Sequence, residues 1–311
     1  MLNIQENVIL APFTTFRIGG PAKFFVEVKS EEELCEALDF AKENKLEFFI
    51  LGGGSNLLVS DKGFEGLVIK MKLNDFVVDG ELATVEVGAG VPLSKVVRDT
   101  VANGLTGMEW AASIPGTFGG AVRGNAGAYG GETGDVIESV NILDAKTRKT
   151  KEIKGLDCSF IYRGSLFKDN GDLIILSAKL KLAKGNIEES QQRVKEIIAQ
   201  RMEKLPQGMG SSGSYFINPI VQNPKLVAEF EKESGKISKA GKIPAPWLIE
   251  RAGLKGKKMG GAMVSPDHAN YVVNTGAATA EDITMLDSFI KQQVRDKFGV
   301  QLQEEVKYLG F

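Results

Sequence analysis

The chain of 311 residues is poor in the side chains that most metal and nucleophilic sites use. Its two cysteines, Cys35 and Cys158, lie far apart and in no CxxC pair, so neither a disulfide framework nor a zinc site is indicated. Its one histidine, His268, would have to serve any Ser-His-Asp or Cys-His mechanism. We therefore expect no metal site, and we expect serine, tyrosine, lysine or a carboxylate to transfer any proton.

The sequence also lacks an excess of one charge and a long hydrophobic run. Its 38 Lys and Arg residues nearly balance 40 Asp and Glu, which gives no basic surface of the kind that binds nucleic acid. No apolar run approaches the roughly 18 residues of a membrane span. The first ten residues include Glu6 and have no basic stretch, so we expect no secretory signal. These absences predict a cytoplasmic enzyme or binding protein with no nucleic-acid, membrane or obligate protein partner.

The length predicts about two domains. Hydrophobic periodicity predicts helices and strands in an irregular order. Ser30 and Glu33 form a potential capping box at the start of the first helix, and Gly299 ends a helix that begins at Thr279. The predicted helices are 30–45, 91–104, 186–204, 222–234, 245–252 and 279–298. The predicted strands are 46–51, 57–60, 67–71, 82–87, 137–144, 172–182 and 300–310. Because no strict βαβ rhythm is present, we predict an α+β fold.

Glycine is abundant: 36 of the 311 residues are glycine, about 12%, whereas the average in proteins is about 7%. Three consecutive glycines occur in the run ILGGGSNLLV (50–59), where exposed amides and the side chains of Ser55 and Asn56 could hold a diphosphate. The run differs from the Rossmann fingerprint, because Leu57 stands at the third glycine position and no helix follows. A tight turn between two strands explains it equally well.

A second glycine-rich run, IPGTFGGAVRGNAGAYGG, covers residues 114–131. Pro115 restricts the turn, while Gly116, Gly119 and Gly120 would allow a ligand close to the backbone. Ten glycines between Gly104 and Gly134 predict a long structured loop rather than a regular helix. Two such loops indicate a large anionic cofactor lying across both, although a loop that packs only on itself remains an alternative.

Eight segments together resemble the UDP-N-acetylenolpyruvoylglucosamine reductase family, which are flavoproteins of peptidoglycan precursor synthesis, a process that cell shape and cell division require. They occur in the family's order and span nearly the whole chain. The spacing resembles the shorter variant, which lacks a tyrosine-bearing insertion. The segments are TTFRIGG (14–20), LGGGSNLLV (51–59), IPGTFGGAVRGNAGAYGGE (114–132), IYRGSLFK (161–168), RMEKLP (201–206), GSYFINP (213–219), GLKGKKMGGAMVSPDHANYVVN (253–274) and EEVKYLG (304–310).

The resemblance implies a two-part FAD-binding region of the vanillyl-alcohol-oxidase type, residues 1–70 and 71–200, and a smaller α+β substrate-binding domain, residues 201–311. It implies that FAD is held non-covalently and passes hydride from NADPH to the enolpyruvyl double bond of UDP-N-acetylglucosamine enolpyruvate, giving UDP-N-acetylmuramate. The implied FAD-binding residues are Gly52, Gly53, Gly54, Ser55, Asn56, Leu57, Ile114, Pro115, Gly116, Gly119, Gly120, Ala121, Asn125 and Gly127.

The resemblance also implies three catalytic residues. Arg163 would bind the substrate carboxylate, Glu305 would assist in stabilising the enolate, and Ser214 would deliver the proton. Tyr162, Lys204 and Asn218 would bind the substrate. From the residues alone, Arg163 would be an ordinary surface cation and Ser214 a turn residue.

The alternation of residues 300–310 places Glu305 on the polar face and marks Glu304, on the apolar face, as the unusual carboxylate. The resemblance nevertheless selects Glu305. The chain departs from the family pattern at Arg123, Ile217, Gln303 and Lys307, so the details of substrate diphosphate contacts are open.

Two other functions remain as alternatives. One is a flavin oxidase of the same broad fold, although many of those attach flavin to a histidine and His268 lies outside the predicted FAD-binding region. The other is a non-catalytic nucleotide-sugar-binding protein that uses the same glycine loops. A yellow purified protein would distinguish the flavoenzymes from the binding protein.

Overall fold

The computed structural model describes residues 2–203 and 208–311. Within these ranges the helices are α1 (Glu31–Glu43), α2 (Leu93–Ala102), α3 (Phe118–Gly124), α4 (Leu166–Asp169), α5 (Ile187–Met202), α6 (Pro224–Ser234), α7 (Ala245–Arg251) and α8 (Ala280–Phe298). The strands are β1 (Gln5–Ile9), β2 (Pro21–Val28), β3 (Phe48–Leu51), β4 (Leu57–Val59), β5 (Phe64–Met71), β6 (Phe76–Asp79), β7 (Thr84–Gly88), β8 (Leu105–Thr106), β9 (Gly127–Ala128), β10 (Gly131–Glu132), β11 (Ile137–Asp144), β12 (Thr150–Lys154), β13 (Leu173–Lys181), β14 (Ala183–Lys184), β15 (Gly210–Ser214), β16 (Lys258–Met259), β17 (Ala262–Val264), β18 (Tyr271–Asn274) and β19 (Lys307–Leu309). This order confirms the predicted α+β class.

The described chain forms two compact units. The first contains residues 2–8, 22–54 and 65–203, and the second contains residues 9–21, 55–64 and 208–311. Among the described residues, no helix combines the length and the apolar character needed to cross a membrane. The predicted division of the chain at residues 70 and 200 stays a prediction.

One hydrophobic core of the first unit lies between α1 and the sheet ordered β1-β2-β5-β3. The predicted buried face of α1 is confirmed, since Leu34, Ala37, Leu38 and Ala41 are all buried. The capping box is half present. The Ser30 hydroxyl accepts from the Glu33 amide at 3.2 Å, but the Glu33 carboxylate accepts from the Lys29 amide instead of the Ser30 amide.

A second core of the first unit lies beneath the five-stranded antiparallel sheet ordered β12-β11-β13-β7-β6. Helix α2 packs on this core through Val96 and Val97. Helix α3 packs on it through Phe118, Ala121 and Val122. Each helix therefore buries one apolar face against this core.

Helix α3 corrects the prediction that the glycine-rich region contains no regular helix. Two glycines lie inside its first turn, yet the helix forms because Phe118 and Val122 are buried completely. Gly119 is needed there for packing, since a Cβ atom would lie 2.6 Å from the Ala89 Cβ. Tertiary burial thus outweighs the low helix propensity of glycine.

The core of the second unit is formed by α6, α7, α8 and the sheet ordered β15-β18-β17-β16. The predicted face of α8 is confirmed, because Ile283, Leu286, Ile290 and Val294 are buried. Gly299 ends the helix in the left-handed conformation, as predicted. Strand β4 pairs in parallel with β19 in a separate two-stranded sheet.

The prediction of a continuous strand over residues 300–310 is wrong. Only Lys307–Leu309 is a strand, and Glu304 makes an isolated bridge to Phe216. The segment before β19 bonds at two points, from the Ile217 amide to the Gln303 carbonyl and from the Glu305 amide to the Tyr215 carbonyl. This pairing is too short to make a ladder.

Candidate active site

The two predicted glycine loops meet in the first unit. A Cβ atom on Gly53 would lie 2.4 Å from the Gly116 Cα, so the loops touch through their backbones. Gly54 adopts a φ of 61° and Gly116 a φ of 120°, conformations that favour glycine. The Lys70 ammonium donates to the Gly52 carbonyl and fixes the start of the first loop. The close backbone contact therefore requires glycine at position 53, and the backbone conformation favours glycine at positions 54 and 116.

Some backbone amides of the second loop are already engaged. The Phe118 amide donates to the Val91 carbonyl at 2.8 Å, and the Gly119 amide donates to the Ala89 carbonyl at 3.0 Å. Gly119, one of the predicted FAD-binding residues, thus holds its own helix against the sheet. Ala121 is buried in the core, whereas Gly120 is exposed.

Other amides remain available to a ligand. Within the described part of the chain, no carbonyl accepts from the amides of Gly53, Gly54, Gly116 or Thr117. Unpaired amides on adjoining loops form an anion-binding surface. A bound diphosphate would satisfy groups that are otherwise costly to leave unpaired.

Two hydroxyl groups on either side of the Ile114–Gly116 turn also fit a cofactor. The Oγ atoms of Ser113 and Thr117 are buried, and neither has a hydrogen-bond partner among the residues described. The Thr117 hydroxyl lies close to Gly52, where a Cβ atom would approach it to 2.6 Å. Buried hydroxyls without partners are uncommon. They fit the polar groups of FAD. Neither hydroxyl is marked by the sequence, because a hydroxyl close to a glycine is also typical of an ordinary turn.

The continuation of the first loop, Ser55 to Leu57, belongs to the second unit. The Asn56 side chain donates to the Glu305 carbonyl at 3.0 Å, and the Asn56 carbonyl accepts from the Lys307 amide at 3.2 Å. Leu57 is buried as the first residue of β4. The predicted Asn56 therefore also positions the backbone of the predicted Glu305.

Asn125, Gly127 and Arg163 come together in the first unit. Asn125 is buried and ends α3 with a φ of 42°. Its side chain donates to the Ile161 carbonyl at 2.9 Å and accepts from the Gly134 amide at 2.8 Å. The Arg163 guanidinium donates to the Gly127 carbonyl at 3.0 Å. Asn125 thus connects the second glycine loop to the segment that carries Arg163.

Arg163 lies at the tip of a tight turn that is closed by two hydrogen bonds between Ile161 and Gly164. Its φ of 59° is uncommon for a residue with a side chain. The guanidinium carbon lies 5.1 Å from the centre of the Tyr162 ring, and the Tyr162 side chain is 39% exposed. The Lys168 ammonium donates to the Arg163 carbonyl at 2.6 Å. The turn presents a cation and an aromatic ring side by side.

Ser214 ends β15 in the second unit and lies opposite Tyr271 of β18. The register shifts between Ser211 and Ser214, and Gly213 within this bulge has a φ of 82°. A Cβ atom on Gly213 would have no other heavy atom within 4 Å. The positive φ, and not a lack of space, therefore favours glycine there. A β-bulge changes the direction of the next side chain. Ser214 is half-buried.

Glu305 lies across from the residue that follows Ser214. The Glu305 amide donates to the Tyr215 carbonyl at 2.8 Å. Glu305 is half-buried, which differs from the solvated carboxylate that alternation favoured. The predicted Ser214, Glu305 and Asn56 are thus joined through short backbone connections in one unit.

The predicted substrate residues lie in different surroundings. The side-chain oxygen of Asn218 accepts a hydrogen bond of 2.9 Å from the Ala245 amide, at the start of α7. Lys204 lies outside the described residues. Of the departures from the family pattern, Arg123 and Ile217 are half-buried, whereas Gln303 and Lys307 are exposed.

The contacts of His268 and the burial of Cys158 indicate structural roles for both residues. The His268 ring packs edge-on against Tyr271 with ring centres 4.8 Å apart, and its Nδ1 accepts from the Asn270 amide at 3.3 Å. Cys158 is fully buried, and burial raises the pKa of its thiol to about 11. A thiol with this pKa stays protonated and unreactive at neutral pH.

Two family profiles match consecutive parts of the sequence. Residues 22–150 match an FAD binding domain. Residues 200–309 match the UDP-N-acetylenolpyruvoylglucosamine reductase C-terminal domain. The first match contains both glycine loops, and the second contains Ser214 and Glu305.

The chain is similar to UDP-N-acetylenolpyruvoylglucosamine reductases over its whole length. It is 36% identical to the protein of Solibacter usitatus, covering 99% of this chain and 97% of that protein. It is 40% identical to the protein of Prochlorococcus marinus, covering 99% of this chain and 94% of that protein. Among solved structures, the enzyme of Thermus caldophilus matches with a TM-score of 0.78 at 30% identity, covering 99% of this chain and all of that one.

Proposed function

Because the chain belongs to the UDP-N-acetylenolpyruvoylglucosamine reductase family of FAD-containing oxidoreductases, we propose that it reduces UDP-N-acetylglucosamine enolpyruvate to UDP-N-acetylmuramate with NADPH. This reaction would serve peptidoglycan precursor synthesis in the cytoplasm. The observation that carries the proposal is the match to reductases over 99% of the chain, which includes both glycine loops, Arg163, Ser214 and Glu305.

FAD, when bound, supplies the hydride that reduces the double bond. In our proposal the diphosphate of FAD binds the unpaired amides of Gly53, Gly54, Gly116 and Thr117. The Ser113 and Thr117 hydroxyls would give further hydrogen bonds, and Asn125 and Gly127 would lie near the flavin. The remaining FAD-binding residues that the family resemblance implies would complete the set, together with these two hydroxyls.

Addition of hydride to the enolpyruvyl group leaves negative charge beside the substrate carboxylate, as an enolate. In our proposal Arg163 binds this carboxylate through its planar guanidinium. Ser214 then donates a proton to the carbon that bears the charge, and Glu305 assists in stabilising the enolate. A serine hydroxyl holds its proton tightly, so the alkoxide must regain a proton from water or a neighbouring group. Tyr162, Asn218 and Lys204 would bind the nucleotide-sugar.

The proposal is tested by the two half-reactions in the absence of oxygen. The purified protein is reduced with one equivalent of NADPH, and loss of the flavin absorbance is recorded. UDP-N-acetylglucosamine enolpyruvate is then added, and we expect the absorbance to return with formation of UDP-N-acetylmuramate. UDP-N-acetylglucosamine serves as the control, since it lacks the enolpyruvyl group. A colourless protein that binds the UDP-sugar would contradict the proposal and favour a binding function.

A further inference from the structure

Five polar side chains form a cluster in the second unit, and two of its members adjoin Ser214 and Glu305 in the sequence. Tyr215 and Asp287 are buried, whereas Tyr308, Lys291 and Glu304 are half-buried. The Tyr215 and Tyr308 hydroxyls lie 2.6 Å apart, and the Tyr308 hydroxyl lies 3.4 Å from the Asp287 Oδ2. The Lys291 ammonium lies 3.0 Å from the same oxygen and also pairs with Glu304. We call these five residues the buried polar cluster.

The buried polar cluster connects three segments of the chain. Asp287 and Lys291 lie one turn apart on α8, Tyr215 follows β15, and Glu304 and Tyr308 belong to the C-terminal segment. Tyr215 is fully buried and Asp287 is 3% exposed. The cluster therefore joins these segments by hydrogen bonds that centre on two buried side chains.

The cluster borders both proposed catalytic residues of this unit. Tyr215 is the neighbour of Ser214, and Glu304 is the neighbour of Glu305. The backbone bond from the Glu305 amide to the Tyr215 carbonyl joins the two segments at the same point. The hydroxyl contact of Tyr215 with Tyr308 and this backbone bond therefore both tie the segment of Ser214 to the segment of Glu305.

The charge of the cluster changes with pH. Burial, together with the nearby Glu304 carboxylate and against the effect of Lys291, raises the pKa of Asp287 to about 7. For Glu304, burial opposes ionisation, but hydrogen bonds from Lys291 outweigh it and hold the pKa below its ordinary value. The charged groups that face Asp287 are Lys291 and Glu304, and the titratable neighbours are Tyr308 and, beyond it, Tyr215. The pKa values of both tyrosines are raised, chiefly by burial, so the phenols stay neutral.

The cluster therefore has two charge states. When Asp287 is protonated, the positive charge of Lys291 and the negative charge of Glu304 cancel, so the cluster has no net charge. With Asp287 ionised, the cluster carries one net negative charge. The Asp287 Oδ1 is buried and has no hydrogen-bond partner in the described ranges, so the ionised state leaves an acceptor unsatisfied.

We propose that the buried polar cluster is a positioning network for the proton-transfer step, which holds Ser214 and Glu305 in place and slows that step when Asp287 ionises. The inference rests on the proposed function, because it assumes the roles of Ser214 and Glu305. A negative charge in the low-dielectric interior opposes formation of a second one on the enolate and on the serine oxygen. The members act through the backbone of their neighbours and touch no substrate in this proposal.

The hydroxyl contact is tested with Tyr308→Phe, Tyr215→Phe and the double variant, which keep both rings. We expect each single variant to slow flavin reoxidation by the enolpyruvyl UDP-sugar roughly 3- to 10-fold, as for loss of one hydrogen bond. Flavin reduction by NADPH should not change, and the substrate concentration for half-maximal rate should stay the same. Tyr308→Phe removes the hydroxyl contacts with Tyr215 and Asp287 together, so the double variant should be no slower than Tyr308→Phe alone.

The charge effect is tested with Asp287→Asn over the pH range 5 to 9. We expect reoxidation of the wild-type flavin by substrate to slow as the pH rises through about 7, where Asp287 ionises. The asparagine variant should lose this decrease. Asp296→Asn is the matched control, because Asp296 lies on the exposed side of the same helix, and it should keep the wild-type profile.

Several results would overturn the inference. A wild-type protein that the enolpyruvyl UDP-sugar does not reoxidise would overturn the proposed function and the inference with it. A reactive wild type whose rate Tyr308→Phe leaves unchanged would overturn the inference alone. The same holds if the variants slow both half-reactions equally, or if Asp287→Asn keeps the decrease above pH 7. Tyr308→Phe preserves the packing of the ring, so it decides the question even if Asp287→Asn does not fold.

Discussion

At the scale of the residue, Arg163 combines an uncommon backbone conformation, shared with Arg17, Lys45 and Arg148, with hydrogen bonds at both its guanidinium and its carbonyl. Its φ of 59° costs about 1–3 kcal/mol in a residue with a side chain. Hydrogen bonds from its guanidinium to Gly127 and from Lys168 to its carbonyl offset this cost. Residues held in such conformations cluster at binding sites. These hydrogen bonds hold the guanidinium beside the Tyr162 ring, where we propose that it meets the substrate carboxylate.

The first prediction concerns Arg163→Lys. Lysine keeps the charge but loses the two parallel donors that match a carboxylate. We expect flavin reoxidation by substrate to slow, with little change in flavin reduction by NADPH, as measured by anaerobic rapid mixing. Arg98→Lys, at an exposed position of the same unit, should leave both rates unchanged. Equal slowing of both half-reactions would show that Arg163 does not act on the enolpyruvyl group.

The second prediction concerns Ser214. If its hydroxyl donates the proton, Ser214→Ala should retain FAD and its reduction by NADPH, while turnover falls by roughly 10²–10⁴-fold. Ser214→Cys should recover part of the rate, because a thiol is a stronger acid of similar size. Ser288→Ala, at an exposed position on α8, is the control. Near-normal turnover of Ser214→Ala would remove this serine from the mechanism and make Glu305 the next acid to test.

Single residues differ in how far the sequence predicts them. The alternation around Glu304 marked it as unusual, and the structure places it in an ion pair with Lys291 inside the buried polar cluster. Asp287 had a comparable signal, since it lies on the same helix face as Ile283 and Ile290. Thr117 had none, because only the close approach of Gly52 leaves its hydroxyl buried and unpaired.

At the scale of the element, the glycine loops depend on a backbone contact that no larger residue permits. The third prediction is that Gly53→Ala releases FAD, because its Cβ would lie 2.4 Å from the Gly116 Cα and separate the loops. Flavin content per protein, measured by absorbance after denaturation, should fall strongly. Gly171→Ala is the control, since a Cβ atom there meets nothing. A folded Gly53→Ala protein with full flavin content would contradict the role of this contact.

Helix α8 carries a fourth prediction through Asp287. Its pKa in the folded protein, about 7, exceeds the ordinary value of 3.8, so the folded state binds the proton more tightly than the unfolded state. This effect lowers stability as the pH rises from about 4 to 7. Asp287→Asn removes the loss, so its melting temperature relative to wild type should rise over this interval and level off above it. The melting temperature of Asp296→Asn should differ from that of wild type by the same amount at every pH. If the same were true of Asp287→Asn, the raised pKa of Asp287 would be contradicted.

Elements were predictable where their burial follows from local spacing. Helices α1 and α8 have apolar residues on one face and recognisable ends, and both form as predicted. Helix α3 was missed because its stability comes from distant partners of Phe118 and Val122, not from propensity. The strand predicted over residues 300–310 is shorter because its partner, the segment after Ser214, offers only two backbone bonds.

At the scale of the whole molecule, the second unit collects segments from distant parts of the chain. Residues 9–21 and 55–64 join the C-terminal residues, and β4 pairs with β19 across some 250 positions. Periodicity is a local property, so it could not reveal this pairing. The eight family segments could indicate function because they are spread over both units and keep their order.

The last prediction concerns the stability of the whole protein with its cofactor. FAD binds the folded protein and not the unfolded chain, so at a concentration of about 100 times its Kd it should stabilise the fold by about 2.7 kcal/mol. Apoprotein prepared by removing flavin should therefore melt at a lower temperature than the same protein with FAD added back, by several degrees. AMP, which lacks the isoalloxazine ring and the diphosphate, should give a smaller shift. Gly53→Ala should lose most of the FAD-dependent shift while Gly171→Ala retains it, because only the first substitution separates the two loops that we propose hold the diphosphate. If FAD raises the melting temperature of Gly53→Ala as much as that of wild type, the diphosphate must bind elsewhere.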